Sequence, residues 1–211
     1  MIFSDAKAEF VCTGPRVGLR PFRPEDGPEF TARARESREL HHPWLFPPTT
    51  PEEYEPYARR LTGEDPGRAG FLVCEREGGD GRDPGAIAGF ININNIVRGA
   101  FRCGALGYGA FAHAAGRGLM AEALGLLIDH AFGELGLHRL EANIQPGNTA
   151  SIALVRGRGF RLEGLSPDFL FVDGAWRDHE RWAITGGDNS SPRNGSRQSG
   201  SDQVSTGSPR S

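Results

Sequence analysis

Two glycines one residue apart, Gly116 and Gly118, stand between a strand-like run and a long helical pattern. The run FRCGALGYGAF (about 101–111) is typical of a strand. The pattern that begins at Arg117 and ends near Leu135 is typical of a helix, because its apolar residues recur at helical spacing. Glycine permits a tight turn, and it also lets an anion approach bare amides at a helix N-terminus. The junction therefore predicts an α/β unit and leaves two explanations, a plain turn or an anion site.

The other patterns extend this unit into an α/β domain. Apolar runs typical of strands cover 16–22, 70–77, 85–94, 101–111 and 138–145, and two more lie within 168–184 around Asp173-Gly174. Helical patterns cover 24–36, 50–61, 117–135 and 147–160. Asn148 is expected to cap the last helix, and Thr50 with Pro51 opens the second. The order predicts a mixed sheet of about seven strands flanked by about four helices.

Composition divides the chain into three parts. Residues 186–211 contain a single aliphatic residue, Val204, among glycine, serine and other polar residues. Such a segment buries too little apolar surface to offset the entropy of ordering, so we expect a disordered tail. Residues 13–185 form the predicted domain, which is long enough for one sizeable core, and residues 1–12 form an N-terminal extension.

Charge and cysteine content exclude several classes of protein. With 24 basic and 27 acidic residues and a net charge of −3, the chain lacks the basic footprint of a nucleic-acid partner. It also lacks an apolar run of the roughly 18–20 residues that span a bilayer, and we see no signal peptide. We expect a cytoplasmic protein without a direct nucleic-acid or membrane partner. No metal site is expected either, because the cysteines and histidines of the chain that were considered lack ligand spacing: Cys12, Cys74, Cys103, His113, His138 and His179. The three histidines are interpreted as structural or surface groups.

Four segments resemble the GNAT superfamily of acetyl-CoA-dependent N-acetyltransferases, and within it the RimJ/RimL branch. The loop Ala-Gly-Arg-Gly-Leu-Met (115–120), followed by x-Glu-Ala, is similar to that branch's form of the pyrophosphate loop, although Ala115 and Met120 depart from the general superfamily pattern. The segments NNIVRGAFRCGALGYGAF (94–111), HPWL (42–45) and EGLSPDFLFVDGAWRDH (163–179) carry the rest of the resemblance. Coverage extends over roughly residues 16–185.

The resemblance implies a GNAT fold with a mixed, mostly antiparallel sheet that is splayed in the middle for CoA. It implies acetyl-CoA as cosubstrate, with the amides of 117–120 at the pyrophosphate and the strand before the loop beside the pantetheine. The residues expected to contact it are Phe111, Ala112, Gly116, Arg117, Gly118, Leu119, Met120, Asn148 and Ser151. Asn148 matches the family's asparagine near the pantetheine, but an N-cap role alone is the open alternative, and both roles can coexist.

The resemblance also implies catalytic and substrate-side residues. Ser151 is the expected proton donor for the departing thiolate, because the position where many family members have a tyrosine is Val155 here. Glu141 and Asp168 are the candidate bases, with a purely structural role as the alternative for each. The position of the branch's glutamate is Leu170 here, and Asp168, two residues earlier, is expected to face the same side. The residues expected on the substrate side are Trp44, Tyr108 and Asn143.

Three functions follow as expectations. The first is acetylation of a protein N-terminal α-amine, of the ribosomal-protein alanine type; this amine has a pKa near 7.7–8.0, so it needs only weak base assistance. The second is acetylation of a small amine, such as an antibiotic or a polyamine, and the third is a catalytically silent acyl-CoA-binding protein. The first predicts an open groove, and the second predicts a closed, acid-lined pocket. A monomer or a homodimer is expected.

Overall fold

A computed structural model describes residues 10–63, 65–76 and 85–187. Of the tail expected from residue 186, only Gly186 and Gly187 lie among the described residues, and the N-terminal extension is described only from Phe10. These last residues of the extension contact the domain. The Val11 amide donates to the Leu19 carbonyl, and the Phe10 ring lies against Gly18.

The described strands form one sheet of eight, in the order β1-β2-β3-β4-β5-β6-β8-β7. Its strands are β1 (Cys12–Thr13), β2 (Val17–Arg20), β3 (Ala69–Glu75), β4 (Ile87–Val97), β5 (Cys103–Ala110), β6 (Arg139–Ile144), β7 (Arg161–Val172) and β8 (Ala175–Thr185). Neighbouring strands are antiparallel except β5 and β6, which are parallel. The predicted mixed, mostly antiparallel sheet is confirmed.

Five α-helices accompany the sheet in the described chain. They are α1 (Gly27–Glu36), α2 (Arg38–His41), α3 (Pro51–Leu61), α4 (Leu119–Phe132) and α5 (Thr149–Gly157). The strand β1 and the helix α2 exceed the predicted numbers, because two and four residues are too few to show a hydrophobic period. The predicted Thr50 cap of α3 is confirmed, since its side chain accepts a hydrogen bond from the Glu53 amide.

The starts of α4 and β7 differ from the sequence prediction, and each difference has a cause in the backbone. Helix α4 begins at Leu119 rather than Arg117, because Gly118 is left-handed, with φ +76°, and is the N-cap. Strand β7 begins at Arg161 rather than at residue 168. Its pairing with β8 is interrupted between Leu162 and Gly164 and again before Leu170, so its side chains do not alternate regularly.

The sheet separates two hydrophobic cores. Because side chains alternate along a strand, Phe71 and Val73 of β3 join the core beneath α4 and α5, while Leu72 and Cys74 join the opposite core. The first core is mainly aliphatic. The second is rich in aromatic rings contributed by the sheet, by α1 and α3, and by the segments beside them: Phe22, Phe30, Tyr54, Phe90 and Phe111.

The centre of the sheet opens between β5 and β6. Their parallel pairing runs from Cys103 and Arg139 to Leu106 and Ala142, and there it stops, although β5 continues to Ala110 and β6 to Ile144. The predicted splay is therefore confirmed. The gap lies between the start of α4 and the start of α5, so both helix N-termini meet at one opening.

A buried ion pair ties β2 to the turn before α1 and makes a stability prediction. Arg20 donates two hydrogen bonds to Asp26, at 2.7 Å and 2.6 Å, and both side chains are over 90% buried. We expect Asp26→Ala to lower the free energy of unfolding by about 3–5 kcal/mol, because it leaves the buried guanidinium without its partner. Urea unfolding measures this change.

The matched control is Asp65→Ala, which removes an acid that pairs with Arg68 at 3.0 Å. More than a third of each side chain is exposed, so we expect a loss of only about 0–1 kcal/mol. Equal urea midpoints for Asp26→Ala and the unmodified protein would contradict the stabilising role of the buried pair.

Candidate active site

A cavity of about 710 Å³ occupies the gap between β5 and β6. Its walls come from parts of the segment 40–45, the end of β5 (106–110), the loop and first turn of α4 (114–121), and the segment 142–151, which joins β6 to α5. Leu154 of α5 and His179 of β8 complete the described lining. The cavity therefore joins two helix N-termini to the open centre of the sheet.

The glycine loop supplies one end of the cavity with bare amides. Gly116 and Gly118 have φ of +74° and +76°, a left-handed conformation that other residues rarely adopt. Gly118 has no side chain to cap α4. The amides of Leu119, Met120 and Ala121 lie in the first turn of the helix, so no carbonyl of a preceding helical turn accepts their hydrogen bonds. Amides and helix dipole together favour an anionic group at this end, so the residues present fit a diphosphate.

Arg117, expected at the cofactor, is directed away from the cavity. Its guanidinium donates two hydrogen bonds to Glu75, at 2.7 Å and 2.9 Å, and only 2% of the Glu75 side chain is exposed. The side chain therefore ties the loop to β3. Any contact of Arg117 with an anion comes from its backbone.

Phe111 and Ala112, also expected at the cofactor, do not line the cavity. The Phe111 ring is fully buried in the aromatic core, 5.3 Å from the Phe30 ring, and its amide donates to the Ala88 carbonyl. The Ala112 amide donates to the Ser37 hydroxyl at 2.8 Å. The β5 residues that reach the cavity are Leu106 to Ala110, just before them.

The side chains of Ser151 and Tyr108 contact each other inside the cavity. Ser151 was expected to be the proton donor, and Tyr108 was expected on the substrate side. Their hydroxyl oxygens lie 2.5 Å apart. Burial raises the pKa of Tyr108 to about 12, and the hydrogen bond to Ser151 partly opposes this shift. The phenol is therefore protonated at neutral pH, and the pair can pass a proton.

Asn148 caps α5 and lines the same cavity. Its side-chain oxygen accepts a hydrogen bond from the Ser151 amide at 3.1 Å, so the predicted N-cap is confirmed. Because its oxygen is used in this way, the side-chain NH₂ is the group left for a ligand. The cap fixes the first turn of α5 and with it the Ser151 backbone.

Trp44 and Asn143, expected on the substrate side, both line the cavity. Trp44 comes from the segment after α2 and packs so closely on Gly147 that a Cβ there would lie 2.9 Å from the indole. Asn143, near the end of β6, has a buried side-chain oxygen without a hydrogen-bond partner among the described residues. An orphaned acceptor of this kind can receive a donor such as an amine N–H.

Two histidines line the cavity, His41, which the sequence analysis did not select, and His179, which it interpreted as a structural or surface group. His41 Nε2 lies 2.8 Å from the Ala110 carbonyl, and His179 Nδ1 lies 2.8 Å from the Arg177 carbonyl. A carbonyl only accepts, so each bonded nitrogen carries a proton. Burial lowers the pKa of His41, although its carbonyl contact opposes this, so His41 is neutral at pH 7.

The two candidate bases from the sequence lie outside the cavity lining. Glu141 is on β6 but is held by Arg139 at 2.8 Å and by Arg181 of β8 at 2.9 Å. Asp168 is exposed and lies in the second interruption of β7, with φ +46°, where its amide donates to Asp178. The irregular backbone there removes the alternation on which the placement of Asp168 depended.

The described cavity lining contains no aspartate, glutamate, lysine or arginine. Its titratable side chains are His41, Tyr108 and His179. Within residues 10–63, 65–76 and 85–187 no group of three or more His, Cys, Asp and Glu side chains is placed to hold a metal ion. In the same part of the chain, no helix has the length and hydropathy of a membrane span.

A family comparison agrees with this geometry. The model of the acetyltransferase (GNAT) domain matches residues 16–161, more than half of the chain. The chain belongs to the GNAT acetyltransferase family. The matched region of this GNAT domain includes the glycine loop, α4 and α5, which contribute to the cavity lining.

Individual relatives agree with the GNAT assignment. The chain is similar to the ribosomal protein uS5 alanine N-acetyltransferase of Escherichia coli (strain K12), with 41% identity over 103 residues, or 49% of this chain and 53% of that protein. It spans about half the length of the first curated relatives it matches. Among solved structures it is similar to Mycobacterium smegmatis RimJ in complex with CoA-disulfide, with a TM-score of 0.75 and 31% identity over 84% of this chain and 88% of that chain. The predicted resemblance to the RimJ/RimL branch is confirmed.

Proposed function

We propose that this protein transfers an acetyl group from acetyl-CoA to the α-amine of a protein N-terminus, of the ribosomal-protein alanine type. One observation carries the choice of acceptor. The cavity opens to solvent and its described lining has no carboxylate. A polyamine carries several positive charges and calls for acidic partners, whereas an N-terminal α-amine brings one amine and a neutral backbone.

The proposal assigns the two ends of the cavity different tasks. Backbone amides from Gly118 to Met120 bind the diphosphate, with the dipole of α4 adding attraction. The end of β5 pairs with β4 but has no strand partner on its β6 side, and there it offers backbone groups to the pantetheine arm. When bound, acetyl-CoA supplies an activated acetyl thioester close to Ser151.

The acceptor amine must be neutral to attack. Its pKa near 7.7–8.0 leaves a sizeable fraction neutral at physiological pH, so strong base assistance is unnecessary. Neither Glu141 nor Asp168 lines the cavity, whereas His41 and His179 do. The ring nitrogen of His41 that does not bond Ala110 is Nδ1, and it is buried without a partner among the described residues. We therefore assign the released proton to the imidazole of His179, directly or through water.

The departing sulfur requires a proton. The Ser151 hydroxyl donates it, and the Tyr108 phenol replaces it through their hydrogen bond. Solvent, to which the cavity opens, then returns a proton to the phenol. This arrangement supplies a phenolic acid even though position 155 is valine, because the tyrosine comes from β5 instead of α5.

Thiol release from acetyl-CoA with matched acceptors tests the proposal. We use a peptide with a free N-terminal alanine, the same peptide with its α-amine blocked and an internal lysine, and spermidine. The free peptide should release coenzyme A with a kcat/KM at least about tenfold above that of spermidine, and the blocked peptide should be inactive.

Other outcomes of this assay select the other functions. Release with spermidine but not with the free peptide would identify a small-amine acetyltransferase. Coenzyme A binding without release for any acceptor would identify a silent acyl-CoA-binding protein. Absence of coenzyme A binding would contradict the transferase assignment itself.

A further inference from the structure

We propose that Arg16 is a positioning residue for the coenzyme A loop, whose guanidinium holds two loop carbonyls and thereby turns the following amides toward the cavity. The inference rests on the proposed function, because it concerns the loop that binds the diphosphate there. Arg16 does not line the cavity itself. It lies just before β2 and behind the loop.

The Arg16 side chain makes three contacts with the start of α4. Nη1 donates to the Arg117 carbonyl at 2.9 Å, Nη2 donates to the Gly118 carbonyl at 3.3 Å, and Nε donates to Glu122 at 2.9 Å. Glu122 also accepts from the backbone amides of Arg16 and Val17, at 2.8 Å and 3.1 Å. One planar guanidinium therefore bridges the loop and the first turn of the helix.

Because of the peptide geometry, a contact that holds a carbonyl also sets the direction of the amide that follows it. The loop peptide bonds are trans, and in a trans unit the carbonyl and the next N–H point in opposite directions. Holding the Arg117 carbonyl therefore points the Gly118 amide away from Arg16, and holding the Gly118 carbonyl does the same for Leu119. Gly118 and Leu119 line the cavity and Arg16 does not, so the amides that point away from Arg16 are available to the cavity.

A second ion pair fixes the loop from β3. The Arg117 guanidinium binds Glu75 with two hydrogen bonds, so the arginine between the two glycines serves as an anchor. Each guanidinium is matched by a carboxylate, Glu122 for Arg16 and Glu75 for Arg117. Attraction for an anion therefore depends on oriented amides more than on net side-chain charge.

A purely structural role for Arg16 is the alternative, in which it only joins β2 to α4. The two roles differ in ligand dependence. A positioning residue affects ligands that have a diphosphate and leaves shorter ligands unaffected. A residue that only supports the fold affects both.

Three variants and two ligands separate these roles. Arg16→Met removes the guanidinium group and its positive charge. Arg16→Lys keeps the charge and one contact but cannot bridge two carbonyls and Glu122 together. Arg76→Met is the matched control, because Arg76 lies at the end of β3 beside Arg16 and donates to the Gly14 carbonyl instead of the loop. Calorimetry measures affinity for coenzyme A, and NMR titration measures affinity for pantetheine, which has no diphosphate.

We expect Arg16→Met to weaken coenzyme A binding by about 10- to 100-fold, the range of one or two charge-assisted hydrogen bonds. Arg16→Lys should show most of this loss, and pantetheine affinity should stay within about twofold in every variant. Three results would overturn the inference: unchanged coenzyme A affinity in Arg16→Met, an equal loss for both ligands, or the same loss in Arg76→Met. Absence of coenzyme A binding by the unmodified protein would instead remove the proposed function, and this inference with it.

Discussion

Gly118→Glu should weaken coenzyme A binding by at least about 100-fold in calorimetry. Three effects act together. A side chain at φ +76° strains the loop by about 1–2 kcal/mol, and a new carboxylate repels the diphosphate. In addition, the new Cβ would lie 3.4 Å from Arg16 Nη2, so the carboxylate can compete for the guanidinium that holds the loop carbonyls.

Two companion variants separate these effects. Gly136→Glu introduces the same charge at a left-handed glycine with φ +62° and open space around it, outside the cavity lining. It should bind coenzyme A as the unmodified protein does. Gly118→Ala retains the strain without the charge, so its affinity should fall between the two. Binding by Gly118→Glu within about threefold of the unmodified protein would contradict the loop assignment.

Ser151→Ala should lower kcat by about 100-fold, in the range of general acid catalysis, while coenzyme A affinity stays within about twofold. Tyr108→Phe should give a loss of similar size, because it breaks the same hydrogen bond. The double variant should be scarcely slower than either single one, since both side chains act in one relay. Stopped-flow or steady-state thiol release measures all three.

Thr149→Ala is the control for this series, because Thr149 also lies in the first turn of α5 and lines the cavity. It should leave kcat nearly unchanged. Additive losses in the Ser151 and Tyr108 double variant would show that the two hydroxyls act separately. An unchanged kcat in Ser151→Ala would remove this serine from the mechanism.

The same relay makes a prediction about pH. Burial raises the pKa of Tyr108 to about 12, so its phenol keeps its proton as the pH rises past its ordinary value of about 10. We expect no decline of kcat due to Tyr108 between about pH 7 and pH 10. A decline in this interval that disappears in Tyr108→Phe would show that the phenol ionises earlier than its buried position implies.

Local pattern was sufficient for the order of most elements and for part of the site. The Gly116-x-Gly118 turn, the Asn148 cap and the helical stripe of α4 involve residues within one or two turns of each other, so their spacing is visible in the chain itself. The family resemblance added the splayed sheet and the position of Ser151 beside it. Both lie where they were expected.

The residues that were wrongly predicted to line the cavity have positions set mainly by contacts between segments far apart in the chain. Glu141 has the right spacing for a strand residue near the cavity. Its carboxylate instead accepts a hydrogen bond from Arg181, which lies 40 positions later on the neighbouring strand β8. Phe111 directly follows a cavity strand, yet its ring enters the core with Phe30 of α1. Asp168 lies in an irregular part of β7 that no period reveals.

The sequence by itself determined an α/β chain with an unobstructed helix N-terminus after two glycines, because backbone conformation and hydrophobic period are local properties. Only the tertiary structure decided what surrounds that N-terminus. It brought Arg16 behind the loop, Tyr108 against Ser151, and His41 and His179 to a cavity without carboxylates. These contacts depend on strand register and helix packing, which join residues that are far apart in the chain.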